Sequence, residues 1–333
     1  MFDSYFFTAS KAEPYYQDRS INIWKFPAAD SAAKQKRPII LNYSIMTRAY
    51  GTCCNKDSFI DFFNRHGSDV YLMDWGKDTP FTLSGWTLDR LSDTLYEKAV
   101  APLLAEYGVE NLNIFGICIG GLIAAHMINR GIKKDPAFSR QFHKVAFYGS
   151  PIIGSRDLGM ARSFMDFYRL MKPYRQTMND AGISLFALDA FLMQGVSSAM
   201  LNWSWHQFWE EGPKTFSEML FLTYDDRWVP FAAFMDILKE AFSSMEKEEK
   251  SGQESRKAFH FKGDVGNIHF FNLVGDSDLL VMPSASIVEW GSEIPKQFAS
   301  FEQVIFPGGH FIFAQPGFPK VKEKLALWFT EKR

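Results

Sequence analysis

Residues Gly116-Ile117-Cys118-Ile119-Gly120 set a cysteine between two glycines, each two positions away from it. In a nucleophile elbow a strand turns sharply into a helix, and those two positions must be small for the turn to close around an exposed nucleophile. The flanks suit that context: "LNIF" before the cysteine reads as a strand, and "IGGLIAAHMI" after it reads as a helix. The thiolate is the reactive form of cysteine, and a helix N-terminus favours negative charge. The backbone N–H of Ile119 would then face the oxyanion that develops when Cys118 attacks a carbonyl.

An elbow nucleophile needs an acid and a histidine later in the chain, each following a late strand. "NLVGDSDLLVMP" offers Asp276 and Asp278 just past a candidate strand, and "VIFPGGHFIF" places His310 past the next one, on a Gly-Gly turn. Cys118, then Asp278, then His310 is the required order. A second oxyanion donor is expected from the loop after an earlier strand. In "PIILNYSIMTRAY" that loop is Ser44–Met46, with the Ile45 N–H as the expected donor. "DVYLMDWG" ends another candidate strand with Asp74 and Trp75, and Asp74 is expected to organise its loop. Cys53 and Cys54 lack a second pair, and His66, His126, His143, His206, His260 and His269 show no ligand spacing, so no metal is expected. The segment "GPKTFSEMLFLTYDDRWVPF" contains Tyr224, Asp225 and Trp228, and its aromatics are expected to serve packing.

Carrying those loops requires a sheet. Short apolar runs alternate with longer helical stretches, which predicts an α/β fold with a mostly parallel sheet. Candidate strands are Ser20–Phe26, Arg37–Tyr43, Val70–Asp74, Leu112–Phe115, Lys144–Tyr148, Ile268–Val274 and Phe301–Phe306. Candidate helices are Lys56–His66, Thr87–Tyr107, Cys118–Arg130, Pro283–Ile287 and Lys320–Phe329. The alternation breaks after Ser150 and resumes near Gly266. Residues 1–150 and 267–333 are therefore expected to form the core domain, and 151–266 a mainly helical cap inserted into it. The charged run 243–257 reads as a solvated loop or a frayed helix.

Composition limits the rest. A formal net charge of −2 over 333 residues, without a basic stripe, argues against nucleic-acid binding. No apolar run is long enough to span a membrane, and the aromatic N-terminus lacks a signal peptide's cationic region. Three cysteines, two of them adjacent, make no disulfide framework, which suggests a reducing, cytoplasmic compartment. The 33 phenylalanines fit either an aromatic core or an apolar substrate channel.

Taken together, these segments resemble the polyhydroxyalkanoate synthases, particularly the shorter catalytic subunits of the two-component types. The Gly116-Ile117-Cys118-Ile119-Gly120-Gly121 elbow carries that likeness most specifically. "YYQDRSINIWKF" looks like the family's opening strand, and "PIILNYSIMTRAY" like its oxyanion strand and loop. "GSDVYLMDWG" is similar to a stretch that commonly ends in Asp-Trp-Gly. "GDSDLLVMPSAS" and "GGHFIFAQPGF" match the positions of the family's catalytic aspartate and histidine. In the cap, Asp225 and Pro230 fit a family segment whose Trp-Asn pair is here Leu222-Thr223. Where the family usually has histidine after the aspartate, this chain has Leu279.

The resemblance implies an α/β-hydrolase fold and a Cys118–His310–Asp278 triad, with Ile119 and Ile45 holding the oxyanion. It implies an acyltransferase that polymerises (R)-3-hydroxyacyl-CoA into polyhydroxyalkanoate through a thioester on Cys118, releasing coenzyme A. The alternative is a thiol-dependent hydrolase of thioesters or esters on the same fold. Asp278 either orients His310 or helps to activate the attacking hydroxyl. No resident cofactor is implied, the CoA thioester being substrate. The implied partners are the growing polyester chain, a second synthase subunit and a second copy of the chain in a homodimer. The implied location is the cytoplasm, at the surface of polymer granules.

Overall fold

The computed structural model describes residues 12–29, 35–45, 49, 58–75, 85–151, 161–178, 182–184, 228–240, 261, 263–278, 281, 283–288, 293–310 and 318–331. Met46, Cys53, Cys54, His206, Leu222, Thr223, Tyr224, Asp225, His260, Leu279 and the run 243–257 lie outside the described residues, as does the side chain of Trp228.

The described strands are β1 (Glu13–Gln17), β2 (Ile21–Phe26), β3 (Ile39–Asn42), β4 (Val70–Trp75), β5 (Leu112–Ile117), β6 (Phe142–Tyr148), β7 (Gly182–Ser184), β8 (Trp228–Pro230), β9 (Val265–Gly275) and β10 (Phe298–Phe306). Eight of them form one sheet in the order β1-β2-β4-β3-β5-β6-β9-β10, and β7 pairs with β8 separately. β2 runs antiparallel to both β1 and β4, and every pairing from β4 to β10 is parallel. β3, β4 and β5 are buried at every position, as parallel strands covered on both faces must be.

Helices cover the two faces. On one, Leu91 and Leu95 of helix Leu88–Leu95 and Leu122 and Ile123 of helix Ile119–Lys134 pack with Ile40, Tyr71, Ile114 and Val145. On the other, Phe59 and Phe63 of helix Phe59–Arg65 and Leu325, Trp328 and Phe329 of helix Pro319–Thr330 pack with Leu41, Leu72, Phe115 and Phe271. Phe59, Phe63, Phe115 and Phe329 meet edge to face, with centroids 5.1, 5.7 and 5.4 Å apart, which puts these phenylalanines in the core. Ser58 caps one helix by accepting the Asp61 N–H, and Thr87 caps another by accepting the Arg90 N–H.

Each of the seven expected strands is present, with ends displaced by a few residues, while β1 was not anticipated. The helix expected over Thr87–Tyr107 is Leu88–Leu95, a π turn at Tyr96–Val100, and Ala101–Tyr107. Pro102 stands in the first turn of the last piece and has no N–H to donate, so the regular ladder cannot continue through it.

Between β6 and β9 the described residues include helix Ala161–Met171, the β7–β8 pair and a helix over 231–240. Asp236 binds this region to the core: it accepts from Arg175 at 2.6 Å and from the Leu88 N–H at 3.3 Å. No helix among the described residues is long and apolar enough to cross a membrane.

Candidate active site

Cys118 sits between β5 and helix Ile119–Lys134 with φ 54° and ψ −125°, one of two non-glycine residues at positive φ among those described. L-residues avoid this region, and holding one there stores strain that surrounding contacts must offset. Those contacts are present. The Cys118 N–H donates to the Tyr148 carbonyl at 2.9 Å, and the Cys118 carbonyl accepts from Ser150 Oγ at 2.8 Å and the Gly121 N–H at 3.0 Å. The flanking glycines are a steric requirement: a Cβ on Gly116 would run into the Gly121 backbone, and one on Gly120 into the Asn42 carbonyl. That close approach joins the elbow to β3, where Asn42 Nδ2 donates to the Gly120 carbonyl at 2.8 Å.

Asp278 and His310 lie on the loops that follow β9 and β10 and are nearly fully buried. His310 Nδ1 is 2.7 Å from Asp278 Oδ2. An ionised carboxylate only accepts, so the ring proton belongs on Nδ1, which leaves Nε2 as the basic nitrogen. Burial by itself pushes the His310 imidazole down, but the Asp278 carboxylate and the Cys118 sulfur facing it hold it well above the ordinary histidine range. His310 is thus in electrostatic contact with both Asp278 and Cys118. Asp278 is fixed in turn by the Val281 N–H, which donates to Oδ1 at 2.9 Å.

The two aspartates separate by burial. Asp276 is exposed and braces the turn before His310: its Oδ1 accepts from the Gly308 N–H at 3.2 Å and from Ser277 Oγ at 2.7 Å. Only Asp278 reaches the imidazole among the described contacts.

Ile119 is the first residue of its helix, so its N–H belongs to the first-turn donors that no intrahelical carbonyl accepts. Ile45 is fully buried just past β3, in the core cluster that also contains Ile119 and against which Cys118 packs. Asp74 is buried on β4, and its neighbour Trp75 donates Nε1–H to Asn42 Oδ1 at 3.0 Å, tying β4 to the strand beside the elbow. Among the described residues no group of three or more His, Cys, Asp or Glu could hold a metal ion.

Sequence reasoning passed over Tyr148-Gly149-Ser150, which lies against the Cys118 backbone and the His310 and Asp278 side chains. Tyr148 and Ser150 hold the Cys118 backbone. Gly149, at φ 53°, presents its Cα side to the His310–Asp278 pair, where a Cβ would lie 3.0 Å from His310 Nδ1 and 3.3 Å from Asp278 Oδ2. Ser286 Oγ donates to the Ser150 carbonyl at 2.8 Å, and Asn272 Nδ2 to the Ser286 carbonyl at 2.7 Å. The one local signal was a glycine directly after an apolar strand, which is common at turns of every kind.

No family model matches the chain. It is 31% identical over 113 residues to the poly(3-hydroxyalkanoate) polymerase subunit PhaC of Thiocystis violacea, a match covering 34% of this chain and 32% of that protein. It is 29% identical over 114 residues to the subunit of the same name from Allochromatium vinosum, with the same coverage. The chain therefore matches about a third of the length of these curated relatives, 32% in each. Among solved structures, a soluble variant of the monoglyceride lipase of Saccharomyces cerevisiae superposes with a TM-score of 0.59 at 13% identity, over 96% of both chains. The Paleococcus ferrophilus monoacylglycerol lipase gives 0.55 at 18% identity, over 93% of this chain and 98% of its own. The Bacillus megaterium epoxide hydrolase gives 0.55 at 12% identity, over 95% and 99%. At these identities the likeness speaks for the fold alone, and the chain has the α/β-hydrolase fold.

Proposed function

We propose that the protein is an acyltransferase that polymerises (R)-3-hydroxyacyl-CoA into polyhydroxyalkanoate, with Cys118 as nucleophile, His310 as base and Asp278 as the residue that orients the base. The observation that carries this reading is a buried histidine that bonds to Asp278 through Nδ1 while facing a cysteine on a strained elbow. The partial likeness to two PhaC subunits supports the choice of reaction.

His310 takes the thiol proton on Nε2, and the Cys118 sulfur attacks the thioester carbonyl of the substrate. The Ile119 and Ile45 N–H groups hold the oxyanion. When it collapses, the bond to the coenzyme A sulfur breaks, His310 returns the proton to that thiolate, and the acyl group remains on Cys118. Sulfur suits this step because one thioester is exchanged for another at nearly equal free energy, so the acyl group keeps its transfer potential. A hydroxyl of a second hydroxyacyl unit or of the chain terminus then attacks, with His310 accepting its proton; the acyl–sulfur bond to Cys118 breaks as the oxygen ester forms, and His310 returns the proton to the Cys118 sulfur. A cap formed by 151–266, as the sequence leads one to expect, would exclude water and so favour transfer over hydrolysis. A second synthase subunit and a homodimer complete the proposed assembly, at the surface of the polymer.

The test feeds 3-hydroxybutyryl-CoA to the chain, alone and with a candidate second subunit, and follows coenzyme A, insoluble polymer and free acid. Intact-mass spectrometry checks for an acyl adduct on Cys118. Polymer growth with a Cys118 adduct is the expected result. Soluble acid as the sole product favours the thiol hydrolase, and turnover that survives Cys118→Ala removes the mechanism altogether.

A further inference from the structure

Strand β6 lies between β5, which delivers Cys118, and β9, which delivers Asp278, so its carboxyl end is central to the site. Tyr148 is the last residue of β6 and is fully buried. Resting on the triad reading above, we infer that Tyr148 is a positioning residue for His310, its hydroxyl and ring holding the imidazole where it serves Asp278 and Cys118 together.

Three contacts from this one residue carry the inference. The Tyr148 hydroxyl donates to the Gly309 carbonyl at 2.6 Å, anchoring the residue immediately before His310. Its ring lies nearly parallel to the imidazole, with an interplanar angle of 24° and centroids 6.2 Å apart. Its backbone carbonyl accepts the Cys118 N–H at 2.9 Å. The Gly308-Gly309 turn has little conformational preference of its own, so the histidine's position must come from outside it. Asp276 and Ser277 bind the turn at Gly308 from the β9 side. Tyr148 binds it at Gly309 from the strand beside the nucleophile, so one residue touches both the turn that carries the base and, through its own carbonyl, the backbone of Cys118. Behind it, Phe59 and Phe306 pack on the phenol at centroid distances of 6.2 and 6.0 Å, which keeps the ring from drifting.

Tyr148→Phe removes only the hydroxyl. The His310 ring proton bonded to Asp278 gives a downfield proton resonance, assigned by its loss in His310→Gln. In Tyr148→Phe that resonance is expected to broaden or move, and its titration midpoint to fall relative to wild type. With 3-hydroxybutyryl-CoA, kcat should drop about tenfold while KM stays within about twofold, since a displaced base costs chemistry and spares substrate binding. An unchanged resonance, midpoint and kcat in a folded Tyr148→Phe protein overturns the proposal. Tyr148→Leu, which removes ring and hydroxyl, is read the same way and should exceed the Phe variant in every measure. If both variants unfold, Tyr148 is a core residue and the proposal falls. A wild type that releases no coenzyme A and carries no acyl group on Cys118 sinks the synthase reading instead. The resonance needs no substrate and decides the role of Tyr148 in that case too.

Discussion

Asp278 meets His310 at 2.7 Å with both side chains almost wholly out of solvent, while Asp276, two residues earlier, is exposed and bonds to the turn instead. A buried carboxylate that fixes the proton on Nδ1 sets which imidazole nitrogen can act as base, a role an amide fills poorly. Asp278→Asn should therefore lower kcat by about a thousandfold. Asp276→Asn keeps an oxygen for the Gly308 N–H and should stay within about twofold of wild type. Coenzyme A release from 3-hydroxybutyryl-CoA, measured for both variants side by side, checks the contrast. Equal losses would mean the two aspartates had been given the wrong roles.

The raised His310 makes stability depend on pH in a definite direction. A folded-state value above that of the unfolded chain means the native protein binds the proton more tightly. The resulting stabilisation is fully present below the unfolded value of about 6.5 and is lost as pH rises through the higher folded value. Melting curves of wild type and His310→Gln should differ most below about pH 6.5 and converge as pH rises above it. A gap that instead widens with pH would show that burial outweighs the two acidic neighbours.

The core strands were legible because a parallel sheet covered on both faces demands unbroken apolar runs, and "VYLMDW" and "LNIFGI" are such runs. β1 was not, since "EPYYQ" is an edge strand with a proline and largely solvent-facing residues. The placement of Cys118, Asp278 and His310 just past β5, β9 and β10 could be read because each follows an apolar strand run. What could not be read is whatever depends on strand order in space. Spacing offered both Asp276 and Asp278, with Asp278 the expected acid, and burial is what sets the two apart. Tyr148, Gly149 and Ser150 touch the site only because β6 is laid between β5 and β9, a neighbourhood no local pattern encodes. The π turn at Tyr96–Val100 was likewise hidden inside a stretch whose apolar periodicity is that of one helix.

Lys144 lies fully buried on β6, and its Nζ donates to the carbonyls of Trp328, Glu331 at 2.8 Å and Phe329 at 3.5 Å, with the ammonium 5.2 Å from the Trp328 ring centroid. It caps the final helix, whose last carbonyls have no partner within the helix and carry its negative end. Lys144→Met keeps the stem and strips the donors, leaving buried acceptors unmet, and should destabilise the fold by about 2–3 kcal/mol. Denaturant unfolding reads the loss directly. Limited proteolysis should cut first at the C-terminal helix, and a variant as stable as wild type would show that water replaces the cap without cost.

Cys118 holds a backbone conformation, φ 54° and ψ −125°, in which glycine has no steric conflict and other residues do. The elbow therefore stores strain that the bonds from Ser150 and to Tyr148 hold in place. Releasing it predicts an unusual order of stabilities. Cys118→Gly should be more stable than Cys118→Ala by about 1 kcal/mol, although glycine ordinarily costs entropy when it replaces alanine. Both variants should lack an acyl adduct, so stability and chemistry move in opposite directions at this residue. Ser150→Ala tests the restraint from the other side. Without its bond to the Cys118 carbonyl the strained turn can relax, and turnover should fall about tenfold while the melting temperature shifts only slightly. Melting curves for the three variants and coenzyme A release for Ser150→Ala decide the matter. If Cys118→Ala equals or exceeds Cys118→Gly in stability, no strain is stored at the elbow, and the reactivity proposed for Cys118 rests on His310 and Asp278 alone.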